Sequence, residues 1–204
     1  LQRRRPATAW TQHLAFTPDG KTLATAAGRQ IFLWSPTLEP LRTLEPLSNT
    51  IAALAFDRAG RDLAAALQGG LVLHRFEPQL QQRSFDWPAA CLTTAFSPNG
   101  RVIVTGTQDG SVHFWYLASG KDSQMRGYPA KVADTVWTHD SRYLATIAGE
   151  ALVVWDFGGK GPEGSRPIQL NGHTERIECL AAQPGGNHLA HCIKAANLDA
   201  NSKG

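Results

Sequence analysis

Two side chains in the C-terminal part of the chain are the best candidates for metal chemistry. His188 and Cys192 are four residues apart, so on an extended strand both would project from one face, because side chains on one face recur every two residues. His191 would project from the other face. A protein metal site needs three or four converging ligands, and only two converge here. We therefore expect no metal and no cofactor.

The other groups that could do chemistry have structural explanations. The sequence contains no nucleophile elbow, P-loop, zinc-protease or EF-hand motif. Asp19, Asp109 and Asp140 fall in turns, where Asp is favoured for backbone reasons. Cys91 and Cys179 occupy equivalent places in the chain and are predicted to be small buried residues. The three cysteines are few, odd in number and not spaced as Cys-x-x-Cys, so we expect no disulfide framework and no zinc knuckle. We predict no catalytic residue and no enzyme activity.

The charge of the chain is only mildly basic. Its 204 residues carry a formal charge of +3, too weak to indicate nucleic-acid binding. The one dense basic run, residues 3–5, is typical of a solvated tail, with a phosphate-binding arm as the alternative. A nucleic-acid-associated module and, behind it, a metal-dependent enzyme stay open as alternative functions. No apolar run approaches the ~20 residues of a membrane-spanning helix, so we predict a soluble cytoplasmic protein.

A seven-residue segment that begins Ala-Phe-Thr-Pro-Asp-Gly recurs along the chain and defines its organisation. The five copies occupy residues 15–21, 55–61, 95–101, 136–142 and 181–187. The aromatic second residue of the first four copies recurs after 40, 40 and 41 residues, and the fifth copy follows after 45. A period of this length is that of a β-propeller blade and not of a helical repeat.

Each unit also has the composition of four short strands. An apolar run leads into the Pro-Asp-Gly type of turn, in which Asp or Asn before Gly supplies the positive φ of a tight hairpin. A second strand and another glycine-containing turn follow, and a third strand ends in an aromatic residue such as Trp34 or Trp155. The polar stretch that closes each unit suits an edge strand. We predict no helix.

These units resemble the WD-repeat family over residues 7–190, most closely its bacterial members. A family unit has a Gly-His dipeptide, a Phe-Ser-Pro-Asp-Gly turn, a second strand with Ser or Thr, an Asp in the next turn, and a closing Trp-Asp pair. The resemblance implies an all-β propeller of four-stranded antiparallel blades. The match stops short in the fifth unit, so we expect about four and a half blades in an incomplete or open ring.

The same resemblance implies a buried hydrogen-bond network of His, Ser or Thr, Asp and Trp within each blade. This chain keeps only one Trp-Asp pair and one Gly-His pair, so the network is expected to be incomplete everywhere. The third unit comes closest, with Trp87 where the His would be; in the fourth unit Tyr128 follows Gly127 in place of the Gly-His pair. The residues assigned to these networks are His173, Thr105, Asp109, Trp115, Trp34, Trp155 and Asp156.

The resemblance places partner recognition on one face of the propeller, called here the top face. It is formed by the leading loops before each first strand (residues 48–50, 87–90, 128–131 and 173–176) and the inner loops between second and third strands (residues 27–30, 67–70, 108–110 and 148–150). Aromatic and cationic rim residues are enriched at binding hot spots. The candidates are Trp87, Tyr128, Lys131, Arg176, Arg29 and Gln108. We predict a non-catalytic protein-interaction scaffold with a protein partner.

The unit boundaries follow from the repeat. We predict blades at residues 7–46, 47–86, 87–127 and 128–170 and a partial blade at 171–198, between a basic tail (1–6) and a polar tail (199–204). Position 1 is Leu and the only methionine is Met125, so the chain is expected to be processed or excerpted from a longer one with further blades or fused domains. Uncovered blade faces would then make this piece alone prone to aggregation. Residues 158–165, on the opposite face, are expected to be a flexible loop.

Overall fold

The computed structural model describes residues 10–159 and 161–193. Within those residues the fold is all-β, with sixteen strands and no helix. None of the described segments therefore forms a helix long and apolar enough to cross a membrane. The basic residues 3–5 and both predicted tails lie outside the described residues.

The first unit is a four-stranded antiparallel sheet. Its strands are β1 (Thr11–Phe16), β2 (Leu23–Ala27), β3 (Gln30–Trp34) and β4 (Pro40–Thr43), hydrogen-bonded in that order. The middle strands β2 and β3 are largely buried, whereas β4 is exposed throughout and begins at a proline. A proline is tolerated there because an edge strand has no partner on one side.

The second and third units form one continuous sheet of six strands. They are β5 (Ile51–Phe56), β6 (Asp62–Arg75), β7 (Gln81–Phe96), β8 (Val102–Thr107), β9 (Val112–Tyr116) and β10 (Asp122–Met125). The sequence predicts two blades here. The pairing divides at β7, whose first half pairs with β6 and whose second half pairs with β8. The chain stays extended through the predicted boundary between residues 86 and 87, so the two sets of strands are joined along β7.

The long strand β6 is itself a hairpin. The backbone N–H of Phe76 donates a hydrogen bond to the carbonyl of Arg61, with 3.1 Å between N and O, so the two ends of β6 lie side by side. The chain reverses at Gly69 and Gly70, both at positive φ. A Cβ on Gly70 would lie 2.0 Å from the Phe85 carbonyl oxygen, so only glycine fits at this reversal.

The fourth unit is again a four-stranded antiparallel sheet, and the fifth is a single pair. The strands are β11 (Asp134–Trp137), β12 (Tyr143–Ala148), β13 (Ala151–Asp156) and β14 (Ile168–Leu170), followed by β15 (Ile177–Ala182) and β16 (Leu189–Ile193). Within the described residues no strand pairing joins β15 or β16 to the first sheet, so these strands do not close a ring. The all-β fold of four-stranded blades in an open array is confirmed.

Apolar side chains fill the space between successive units. The middle strands are covered on both faces by neighbouring sheets, which explains why they are continuous apolar runs and not alternating ones. Pairs from the four successive clusters are Ile31 and Leu63, Leu71 and Ile103, Phe114 and Leu144, and Ile147 and Ile177. By contrast β1 leaves Leu14 and Phe16 exposed, because no described sheet covers its outer face.

The turn between first and second strands is built from side-chain hydrogen bonds. In the first unit the Thr17 hydroxyl donates to Asp19 at 2.7 Å, and Asp19 accepts the backbone N–H of Lys21 at 3.0 Å. The Thr17 oxygen also accepts the N–H of Thr22 at 3.0 Å. The third and fourth units repeat this arrangement with Ser97 and Asn99, and with Thr138 and Asp140.

The second unit makes the same turn by different means. Ala59 stands where the first, third and fourth units have Asp or Asn, so one acceptor is missing. Asp57, at the position of Thr17, accepts the N–H groups of both Arg61 (2.7 Å) and Asp62 (3.0 Å) with one carboxylate oxygen. A single buried side chain therefore satisfies two donors that elsewhere need two side chains.

Candidate functional site

The loops of the top face are joined from one unit to the next by backbone hydrogen bonds. The first residue of β5, Ile51, donates its N–H to the carbonyl of Gly28 in the preceding inner loop at 2.9 Å. The bond recurs from Ile177 to Gly149 at 3.0 Å, and Val132 bonds Thr107 at 3.1 Å. Because each leading loop is bonded to the inner loop of the preceding unit, these loops form one continuous face.

Four of the six predicted partner-binding residues are exposed on this face: Lys131, Arg176, Arg29 and Gln108. The Arg29 guanidinium donates to the Ser48 carbonyl at 3.4 Å, and the backbone N–H of Gln108 donates to the Ala90 carbonyl at 2.9 Å. The loops of this face present three exposed cations, Arg29, Lys131 and Arg176, together with the exposed carboxylates of Asp109, Glu150 and Glu175.

A cavity of about 450 Å³ opens on the top face between the fourth and fifth units. It lies between the inner loop of the fourth unit and the leading loop of the fifth. The Arg176 guanidinium lines it and lies 3.6 Å from the Glu178 carboxylate, an exposed pair that solvent screens. The other lining residues are Pro129, Ala130, Ala148, Gly149, Glu150, Ala151, Asn171, Gly172 and His173.

Trp87 does not project from the rim. Its indole stacks on the His113 ring, with 3.8 Å between ring centroids, and packs against the core between the second and third units. His113 lies edge-on to Trp115 on its other side, at 4.4 Å. In the predicted network Trp87 stands at the position of the family His, and the structure accordingly turns it inward.

Tyr128 also points into its blade. The indole N–H of Trp155 donates to the Tyr128 hydroxyl at 2.6 Å, and that hydroxyl lies 2.7 Å from the Thr146 hydroxyl. Thr146 in turn donates to the Val153 carbonyl at 3.0 Å. Burial raises the pKa of Tyr128 to about 12, which keeps the phenol neutral. The tyrosine thus fills the position of the missing His in the fourth unit.

The most continuous hydrogen-bond network therefore lies in the fourth unit and not in the third. In the third unit the buried Thr105 hydroxyl donates to the Thr93 carbonyl at 2.7 Å, while Asp109 accepts hydrogen bonds from Thr107 and Ser111. Trp115 is held by ring contacts. Physically, Trp87 in place of His offers no acceptor to Trp115, because an indole N–H is a donor only.

Two further network residues have simpler surroundings. In the first unit the Trp34 indole donates to the Thr25 hydroxyl at 2.9 Å in the core. In the fifth unit the His173 ring lies 2.9 Å from the His191 ring, measured between their Nε2 atoms, on the surface. Each of these two side-chain contacts lies within a single unit.

In the second and fourth units, the residue that closes the third strand forms an ion pair. In the fourth unit Asp156 accepts from the Arg142 guanidinium at 3.1 Å in an exposed position. In the second unit Arg75 occupies the position of Asp156, and it donates two hydrogen bonds to Asp62 at 2.7 and 2.6 Å. Asp62 lies one position after Arg61, the equivalent of Arg142, and it is buried. Asp62 and Arg75 carry opposite charges at the two ends of the β6 hairpin, and this is the sequence signal from which the pair could have been predicted.

Two of the histidines are buried in third strands. Burial lowers the pKa of His74 to about 4, so the ring is neutral near pH 7. Burial also lowers the pKa of His113, although Asp122 opposes the shift, with its carboxylate oxygen 3.0 Å from Nε2. Both side chains lie within strands, His74 in β6 and His113 in β9.

The expectation of no disulfide is wrong for the fifth unit. Cys179 and Cys192 lie opposite each other on β15 and β16, with Cα atoms 5.4 Å apart, and form a disulfide. Cys179 is also exposed and not buried as predicted, because no described sheet covers this pair, whereas Cys91 is buried. Among the described residues no group of three or more His, Cys, Asp or Glu side chains could hold a metal ion.

Comparison with known proteins agrees with the repeat. Residues 8–35 and 82–116 match the family profile described as WD domain, G-beta repeat. The chain is 28% identical over 144 residues to Cell division cycle 20.4, cofactor of APC complex, from Arabidopsis thaliana, covering 68% of this chain and 30% of that protein. It is 25% identical over 192 residues to the mouse Target of rapamycin complex subunit LST8, covering 88% and 59%.

A third relative is Autophagy-related protein 18 from Meyerozyma guilliermondii, 30% identical over 134 residues that cover 63% of this chain and 22% of that protein. The chain thus spans less than two thirds of the length of each of these relatives. All three are eukaryotic, so the bacterial resemblance stays a prediction. The repeated units, the antiparallel four-stranded sheets and these matches together support the WD40-repeat family for this chain.

Proposed function

We propose that this chain is a non-catalytic interaction scaffold that binds a partner protein through its top face. The supporting observation is the juxtaposition of the exposed Arg176 with a cavity of about 450 Å³ between two units. The size lies within the range of clefts that bind small ligands, about 300–1,000 Å³, so the cavity could accept a side chain or a short segment of a partner. Two of the three relatives named above are a cofactor and a subunit of complexes, which is the same kind of role.

The exposed cations of the face define what the partner presents. Arg29, Lys131 and Arg176 lie on loops of the first, fourth and fifth units, and their charges would steer an acidic surface towards the cavity. Gln108 adds an adaptable donor and acceptor on the third unit. Trp87 and Tyr128 act indirectly in this proposal, by fixing the loops from which the contact residues project.

The organisation of the chain is part of the proposal. We propose units near residues 7–46, 47–86, 87–127 and 128–170 with a partial unit at 171–198, in a cytoplasmic protein. The blade faces left open at β1 and β16 would be covered by further blades. A full reading frame would test this organisation, because it gives the number of units together with any fused domain.

The test reverses the top-face charges in the full-length protein. The triple variant Arg29→Glu, Lys131→Glu, Arg176→Glu is compared with Lys21→Glu, Arg61→Glu, which reverses exposed charges in the turns between first and second strands. Partners are captured by chemical crosslinking and mass spectrometry in cells. We expect the triple variant to lose partners that the control retains. Retention of every partner by the triple variant would show that this face is not the binding surface.

A further inference from the structure

A larger cavity, of about 640 Å³, lies on the opposite face between the third and fourth units. It is bounded by the turns after the first strands and by the loops that join third and fourth strands. The lining residues are Ser97, Asn99, Arg101, Val102, Tyr116, Lys121, Trp137, Ser141, Phe157, Gly159, Gly161 and Glu163. The two units are tied together at its edge, where the backbone N–H of Asn99 donates to the Ser141 hydroxyl at 2.9 Å.

The loop expected to be a flexible linker forms one wall of this cavity. Glu163, from the fourth unit, accepts a hydrogen bond from the Tyr116 hydroxyl of the third unit at 3.2 Å. The backbone approaches closely enough that a Cβ on Gly161 would lie 2.8 Å from the Tyr116 oxygen. The loop is therefore packed against the neighbouring unit and its one carboxylate is already engaged.

The floor of the cavity is aromatic. The Trp137 ring lies edge-on to Phe157 at 4.6 Å, and Phe157 lies edge-on to Phe114 at 5.2 Å. Trp137 is only 5% exposed, and its indole N–H has no hydrogen-bond partner among the described residues. A buried donor without an acceptor is uncommon, because desolvation is then uncompensated.

The mouth of the cavity carries two cations with no carboxylate partner. Arg101 and Lys121 are exposed, and neither forms an ion pair within the described part of the chain. By contrast Arg142, the equivalent of Arg101 in the fourth unit, is paired with Asp156. The cavity therefore combines an apolar floor, an unsatisfied donor and two positive charges at its opening.

We propose that this cavity binds a short acidic segment of a partner protein. A large apolar side chain of the segment packs on Trp137 and Phe157, and a neighbouring Asp or Glu lies between Arg101 and Lys121. A segment in extended conformation fits this division, because its side chains alternate between floor and mouth. The site lies on the face opposite the proposed top-face contacts, so the scaffold would hold two partners at once.

In the test, peptides that bind the full-length protein are selected from a displayed library of random decapeptides. The selected peptides are then labelled with fluorescein, and their Kd is measured by fluorescence anisotropy. We expect enrichment of Asp or Glu next to a large apolar residue. Arg101→Glu, Lys121→Glu should raise the Kd of these peptides at least about tenfold, because charge reversal replaces attraction by repulsion. Lys21→Glu, Arg61→Glu, at the positions equivalent to Arg101 in the first two units, should leave the Kd unchanged.

The proposal would be overturned if the selected peptides were not enriched in Asp or Glu. It would also be overturned if they bound the Arg101→Glu, Lys121→Glu variant as tightly as the unchanged protein. All substituted residues are exposed, so loss of binding cannot be attributed to a lost core. The top-face triple variant should bind the peptides normally, which separates this site from the proposed function: either can fail while the other holds.

Discussion

The Trp155 indole N–H donates a hydrogen bond to the hydroxyl of Tyr128, with 2.6 Å between Nε1 and the phenolic oxygen. The two residues are 27 positions apart, one in a leading loop and one at the end of β13. Because the same hydroxyl also lies 2.7 Å from the Thr146 oxygen, it links the loop to two strands of the blade. A residue of a top-face loop is thus fixed by the interior of its blade.

Tyr128→Phe should destabilise the protein. The substitution keeps the ring but leaves the buried Trp155 donor without its acceptor, and an unsatisfied buried group of this kind costs about 1–3 kcal/mol. The free energy of unfolding by urea is the measurement. Tyr143→Phe is the matched control: it removes the hydroxyl of a half-buried tyrosine that takes no part in this network, and it should change stability much less. Equal effects in the two variants would contradict the network role.

The ion pairs that close the second and fourth units should differ in their contribution. Asp62 is 4% exposed, so Arg75→Ala leaves a buried carboxylate without its partner; we expect a loss of about 2–4 kcal/mol, since water still reaches the half-exposed arginine site. Arg142→Ala breaks an exposed pair and should have little effect. Both are measured by urea unfolding. A larger loss for Arg142→Ala would reverse the interpretation.

Stability should fall on mild acidification because of His74. Its folded-state pKa of about 4 lies below the ordinary 6.5, so below pH 6.5 only the unfolded chain takes up the proton. The contribution is fully present above pH 6.5 and is lost as the pH falls towards 4, by up to about 3 kcal/mol. The measurement is the unfolding free energy between pH 7.5 and about 4.5.

His74→Gln should flatten this pH dependence, since the side chain no longer titrates. A residual slope should remain, because burial also lowers the pKa values of His13 and His113. His188→Gln, at an exposed histidine of the fifth unit, is the matched control. A slope that is the same in all three proteins would show that His74 is not responsible.

The turn of the second unit should depend on Asp57 alone. Asp57→Ala leaves the N–H groups of Arg61 and Asp62 without their shared acceptor, at an expected cost of about 1–3 kcal/mol. The double variant Asp57→Thr, Ala59→Asp installs the arrangement found in the first and fourth units and should recover most of the loss. Urea unfolding of the single and double variants is the measurement; no recovery would mean that the turns are not interchangeable.

The repeat could be predicted from sequence because its signals are local. Residues such as Asp19 and Gly20 favour the turn through their own backbone and side-chain preferences, and Gly20 does adopt a positive φ of 69°. The predicted fold class and the apolar middle strands followed from these signals. The continuity of β7 did not, because whether the chain turns or stays extended after Asp86 depends on its pairing with both β6 and β8.

Four of the six residues predicted to bind a partner are exposed, and their binding role stays a prediction. Lys131, Arg176, Arg29 and Gln108 are exposed on the top face, as loop positions generally are. Trp87 and Tyr128 lie on the same loops but are turned inward, since each ring finds buried partners on strands remote in sequence. The disulfide between Cys179 and Cys192 was missed because it requires the register of β15 against β16.

The sequence by itself determined the length of the unit, the positions of strands and turns, and the absence of known catalytic motifs, all of which depend on residues close together in the chain. Only the tertiary structure decided which side chains meet across units. Tyr116 and Glu163 are 47 positions apart and hydrogen-bonded, because antiparallel sheets of successive units stack face to face. Such contacts carry no local signal, since packing and burial create them.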